Sequence, residues 1–289
     1  MAKATHEKEK SKENEVVEQP KHALATVDES MYAADAGCGM EGATTESFAI
    51  PFVIVLQKTS PQVDEATGQA IDGARAGMIY ENVTNRLFDG VKEGVPFIPC
   101  AYRRVYLRWG ARKLGGGFKG ELTPEAVAQM RADGQVKELD GKLFVPLEGG
   151  VVDPDKCDYI GDFRNHYILL VDPKENIWTQ AVLSLTSTQI KKSKMLMSML
   201  ASIKIRNRDG VPFTPPTFAN IVKMTTIGES NEKGSWFGVR FEASGRVSDA
   251  SLYAAAKAFN ETVQKGAVEV KYEDTGDSHG EAPAPGDKF

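Results

Sequence analysis

Tyr102, Arg104, Tyr106 and Arg108 occupy alternate positions in the run FIPCAYRRVYLRWGARKLGGGFKG, residues 97–120. Side chains of a strand alternate between two faces, so these four form one aromatic and cationic row. Arg103, Val105, Leu107 and Trp109 form the opposite face. Arg112, Lys113, Phe118 and Lys119 follow around three glycines, and the run holds six Lys/Arg residues and no carboxylate. A single nucleic-acid strand needs this pairing: cations for the phosphates, and flat rings on which unpaired bases stack for about 1–3 kcal/mol each. The same pattern also fits an ordinary half-exposed strand, with Tyr rings packed on their neighbours and Arg heads in water.

A second basic run spans residues 189–208. Lys191, Lys192, Lys194, Lys204, Arg206 and Arg208 give six cations there and no acid. Trp236 and Arg240 share a strand face and repeat the ring-plus-cation theme, although a buried Trp beside a surface Arg fits equally well. Other chemistry finds less support. Gly115-Gly116-Gly117 lacks the Gly-Lys-Ser/Thr ending of a P-loop, so it reads as a flexible turn or as backbone able to approach phosphates. His6, His22, His166 and His279 are scattered. Only His166 falls in a predicted strand, as a packed or hydrogen-bonded residue. Pro154-Asp155 and Glu269-Val270-Lys271 contain the pieces of a metal-dependent nuclease motif but stand over a hundred residues apart, as chance allows in a chain this charged. No enzyme, cofactor or metal is expected.

The elements that must position these residues are mainly strands. Extended segments are expected at Phe48–Leu56, Met78–Val83, Asn85–Phe88, Val95–Ile98 with Ala101–Trp109, Phe163–Val171, Ile177–Leu185, Phe218–Ile227 and Ser235–Val247. A hairpin through 136–147 turns at Asp140-Gly141. Thr123-Pro124-Glu125 starts a helix that ends at Gly134. Thr186 and Gln189 fit a capping box for a helix over Gln189–Ile203, and Ser248 or Asp249 starts a last one to Lys265. Pro51 suits an edge strand or a strand start. Residues 228–235 read as a polar loop. There is no βαβ rhythm, which speaks against a parallel nucleotide-binding sheet. The expected fold is mainly β with inserted helices, an α+β class, in one β-rich domain over residues 47–271, with a break near 150–160 left open.

Residues 1–46 carry few large apolar side chains and are expected to form a disordered arm with a transient helix near 23–34. Of 289 residues, 35 are Lys or Arg and 40 are Asp or Glu, a net charge of −5, so any nucleic-acid binding must rest on local patches. Three separated cysteines fit a reducing cytoplasm better than a disulfide framework. No apolar run is long enough to span a bilayer, and no secretory signal is expected.

The last seventeen residues, Glu273–Phe289, hold five carboxylates against one lysine and end on an aromatic. This acidic tail, closing in Gly286-Asp287-Lys288-Phe289, resembles the tails of single-stranded-DNA-binding proteins of bacteria and tailed phages. The core is similar to uncharacterised tailed-phage proteins at Ser60-Pro61-Gln62, at Tyr102–Trp109 with Gly115-Gly116-Gly117-Phe118, and at the run from Glu229 to Trp236. The resemblance implies an OB-like β-barrel that coats single-stranded DNA in phage replication or recombination. It also implies replication proteins as partners, docking on Asp287 and Phe289, with self-association left open and no membrane contact. The rival from another class is a virion assembly protein whose basic patches meet acidic protein surfaces.

Overall fold

A computed structural model describes residues 29–44, 47–174, 177–232, 234–268, 270 and 272. The chain divides into two units, Met1–Ala43 and Thr44–Phe289, and in the first Glu29–Ala34 forms helix α1. Residues 1–28 and 45–46 of the expected N-terminal arm and the tail after Tyr272 lie outside the described residues.

The second unit is built on two fifteen-residue antiparallel strands, β4 (Val95–Trp109) and β8 (Asp158–Asp172). Each changes neighbours along its length. At its start β4 pairs with β12 (Asn220–Asn231), and at its end with β5 (Phe118–Leu122). Strand β8 pairs first with β7 (Lys142–Val145) and then with β9 (Ile177–Thr186). Strands β6 (Lys137–Leu139) and β13 (Gly234–Arg246) finish the two ends of an eight-stranded sheet. Among the described residues no ladder joins those ends, so the sheet is not closed into a barrel. A separate three-stranded sheet contains β1 (Val53–Val55), β2 (Ile79–Glu81) and β3 (Arg86–Phe88), with β1 at an edge; Pro51 precedes β1, and its carbonyl accepts from Val182 N of β9 at 2.8 Å. Strands β10 (Ile205–Arg206) and β11 (Pro212–Phe213) form a small hairpin.

Local chemistry explains most element ends. The Thr123 hydroxyl accepts from Ala126 N at 3.2 Å and caps α2 (Pro124–Ala132). Asp249 accepts from Leu252 N at 2.8 Å and caps α4 (Ala250–Gln264). Asp140 and Gly141 both take positive φ, 51° and 76°, as the tight hairpin turn between β6 and β7 demands. Gly115, Gly116 and Gly117 take three successive positive φ values, a path that residues with a Cβ rarely adopt. The loop folds back so closely that a Cβ on Gly110 would lie 2.5 Å from Gly116 O.

Four expectations change. The capping box at Thr186 does not form: its hydroxyl donates instead to Asp162 O at 2.9 Å. Residues Ser187–Gln189 make a 3-10 turn, and α3 begins at Ile190 and ends at Ser202. The two pieces expected at 95–98 and 101–109 are one strand, with a register shift between Pro99 and Ala101 that accommodates Cys100. Strand β8 begins at Asp158, five residues before the expected start. Most of the segment 228–235 is strand, because β12 continues to Asn231 and β13 starts at Gly234.

The two faces of the β4–β8 pair bury different cores. On one, Val105, Leu107, Phe163, Tyr167 and Leu169 pack with Ala256, Phe259 and Val263 of α4 and with Tyr272. On the other, the start of β4 and the end of β8 pack against Leu196 and Leu200 of α3. The opposite ends of the same strands, Tyr106 and Ile160, pack with Val127 of α2, Val136 and Leu143. A polar strip separates these last two cores. No described helix is long and apolar enough to cross a membrane.

Candidate nucleic-acid interface

The strip consists of Tyr102 and Arg104 from β4 and Asp162, Arg164 and His166 from β8, brought side by side by the register Tyr102↔His166 and Arg104↔Arg164; Arg108 and Asp158 continue the same face beyond Tyr106 and Ile160 of the α2-side core. The alternation read from the sequence is therefore present, and Tyr102, Arg104, Tyr106 and Arg108 share one face. Their environments differ. Tyr106 is buried among the α2-side residues and is closed to a base; Arg104 lies over its ring, 4.9 Å from the centroid, and donates to its hydroxyl. Tyr102 is half-buried, with its ring 5.2 Å from that of His166 and its hydroxyl accepting from Arg164 Nη1 at 3.0 Å.

Carboxylates of β8 order the cations. Arg104 donates to Asp162 through Nε at 3.1 Å and Nη2 at 2.7 Å. Arg164 donates to the same carboxylate at 2.9 and 3.0 Å. Asp158 accepts from Arg108 Nε at 2.8 Å and from Lys119 Nζ at 2.8 Å. Each carboxylate thus serves two cations, so four positive groups face two negative ones. Burial raises the Asp158 carboxyl, but hydrogen bonds from Lys119 and Arg108 outweigh that and hold it below the usual range. The hydrogen bonds from Arg104 to Asp162 hold that guanidinium above its usual value against the pull of burial. Pairs of this kind are ordered by geometry and leave the strip with surplus positive charge.

The other residues singled out in the first basic run separate. Lys113 pairs with Asp155 at 2.6 Å, with both side chains more than half exposed, a contact worth little in stability. The backbone of Arg112 lies in the 3-10 turn Arg112–Leu114. Phe118 is not free to stack on a base: its ring packs 5.5 Å from Trp109 and 5.9 Å from Tyr272, on the α4-side core. Alternation carried the sequence reading only as far as the strand, and the direction of Phe118 beyond the glycine turn required the fold.

The second basic run adjoins the strip. Ser193 of α3 lies 2.8 Å from His166 Nε2, beneath Tyr102. Burial and the neighbouring Arg164 push the His166 imidazole down to about 4 from an ordinary 6.5, so it is neutral near pH 7. Lys191 and Lys194 point outward and have no ion pair among the described residues. Lys192 differs: it binds Glu229 at 2.6 Å, and the same carboxylate accepts from Trp236 Nε1 at 3.0 Å. Trp236 is half-buried in this brace between α3 and the β12–β13 hairpin, while Arg240, on the same face of β13, is exposed. Lys204, Arg206 and Arg208 are exposed on the β10–β11 hairpin, where Arg206 Nη1 donates to Gly210 O at 2.6 Å. Asp287 and Phe289 lie outside the described residues.

Asp158, Asp162 and Arg164 were missed from sequence. Their signal was the alternation of Asp158, Ile160, Asp162, Arg164 and His166, which becomes visible once β8 is extended toward its start. No group of three or more His, Cys, Asp or Glu side chains among the described residues has a metal-binding arrangement. Glu269 and Lys271 of the nuclease pairing are outside them.

The described fold is mainly β with a few helices, an α+β protein. The chain belongs to the Pam3 phage gp34-like protein family, whose model matches residues 7–269. No curated protein and no solved structure is significantly similar to it.

Proposed function

We propose that this phage protein binds single-stranded DNA without catalysis and with little base preference, in phage DNA replication or recombination in the host cytoplasm. The observation that carries the proposal is the charge imbalance of this strand face, four cations on two carboxylates in two clusters on either side of Tyr106 and Ile160, the first of them next to the outward Lys191 and Lys194 of α3. Ordered cations meet phosphates with little further loss of side-chain freedom, and the surplus charge attracts them over the Debye length. The strip and α3 give a track along a strand face, so the reading does not depend on the OB-like closure that the tail resemblance implies. Tyr102 is the ring of the row left for a base. The acidic tail is proposed to compete with phosphates for this track and to recruit replication proteins through Asp287 and Phe289.

Fluorescence anisotropy of a labelled unstructured oligonucleotide, at low and moderate salt, tests the proposal with the full chain and with a truncation after Tyr272, which keeps that buried ring in the α4-side core. Binding that weakens steeply with salt and tightens on truncation is expected. Absence of binding by both proteins at low salt overturns the proposal and favours an assembly role on acidic protein surfaces.

A further inference from the structure

We infer that the β10–β11 hairpin is a two-sided contact element for a single strand, with Phe213 stacking on a base and the cations behind it holding phosphates; the inference rests on the single-strand reading above. The register pairs Ile205 with Phe213 and Arg206 with Pro212. The bond from Asn207 N to Val211 O at 3.0 Å continues it toward the tip, and the contact of Lys204 Nζ with Thr214 Oγ1 continues it toward the base. Strand alternation then puts Ile205, Val211 and Phe213 on one face and Lys204, Arg206 and Pro212 on the other. Val211 is 56% exposed and Phe213 43%. An apolar ring face backed by cations matches the chemistry of a single strand, whose bases and phosphates point in different directions.

The hairpin is also held in shape by its own bonds. Asn207 Oδ1 accepts from Asp209 N at 3.0 Å and from Val211 N at 2.9 Å, Gly210 N donates to Asn207 O at 3.0 Å, and Arg206 ties to Gly210 O. Pro212, Pro215 and Pro216 fix φ on the returning strand. Such an element meets a ligand already ordered, which lowers the entropy lost on binding. Asp209 is the one carboxylate between residues 203 and 216, and it forms no ion pair among the described residues. Tyr106 and Phe118 are packed in cores and Trp236 is held by Glu229. Phe213 is thus an exposed ring on the strand that pairs with the end of the basic run.

The test compares oligothymidine with an abasic oligomer of equal length, which keeps the phosphates and lacks the bases. For Phe213→Ala a loss of roughly five-fold or more is expected on oligothymidine, following the stacking energy of one base. No loss is expected on the abasic oligomer. Phe213→Trp is expected to restore oligothymidine binding, and Arg208→Ala to weaken both ligands alike. Equal effects of Phe213→Ala on the two oligomers, or none on either, overturn the hairpin inference while leaving the broader reading in place. A wild-type chain that binds neither oligomer overturns both.

Discussion

The Asp162 carboxylate grips the Arg104 guanidinium from two points, 3.1 Å from Nε and 2.7 Å from Nη2, while also accepting two bonds from Arg164. A group shared in this way orders its cations and also competes with any incoming phosphate. Asp162→Asn removes the competing charge and leaves two guanidinium groups facing the strip. Tighter oligonucleotide binding at low salt is expected, with a steeper salt dependence, measured by anisotropy across a salt series. The same change should lower folding stability by about 1–3 kcal/mol, because two partly buried cations lose their partner. Unchanged or weaker binding by the folded variant would show that the strip does not meet phosphates.

Tyr106 and Tyr102 belong to one row but are expected to respond differently. Tyr106→Ala empties a site among Val127, Val136, Leu143 and Ile160 and should cost about 3 kcal/mol in urea unfolding. Tyr102→Ala should cost less in stability and act mainly on oligonucleotide affinity. The reverse pattern would mean that the α2 side of the strip opens to solvent in solution.

Lys191 and Lys194 are the simplest electrostatic probes, since neither supports another side chain through an ion pair. The Lys191→Ala, Lys194→Ala double variant should keep its unfolding midpoint. Its plot of log affinity against log salt should flatten by about 1.4, two phosphate contacts at roughly 0.7 each for a single strand. An unchanged slope would place the bound strand away from α3.

His166 predicts a stability loss in mild acid. Its folded value of about 4 lies below its ordinary 6.5, through burial and Arg164, so the unfolded chain takes up a proton that the folded chain refuses. Stability from this group is complete above pH 6.5 and falls as pH drops toward 4, by on the order of 3 kcal/mol. Ser193 and Tyr102 also face the imidazole. Urea unfolding between pH 7 and pH 4.5 should show the decline, and His166→Asn should remove this contribution. Parallel pH curves for the two proteins would contradict the neutral, buried assignment.

The sequence by itself determined the local elements. Period-two alternation located β4, Thr123 and Asp249 marked helix starts, Asp140-Gly141 set a hairpin, and the carboxylate-free run 189–208 marked the exposed basic surface. These depend on neighbours a few residues away, so a linear reading reaches them. The capping box at Thr186 illustrates the limit, because its hydroxyl found a better partner in Asp162 O on another strand. Only the tertiary structure decided which face of each element is covered. It buried Tyr106 beneath α2, turned Phe118 onto Tyr272, tied Trp236 to Glu229, and set Asp158 and Asp162 of an extended β8 against the arginines of β4. The pairings of Arg104 with Asp162 and Arg108 with Asp158 join positions fifty or more residues apart, and exposure depends on which elements pack together, so propensity and periodicity carry no information about either.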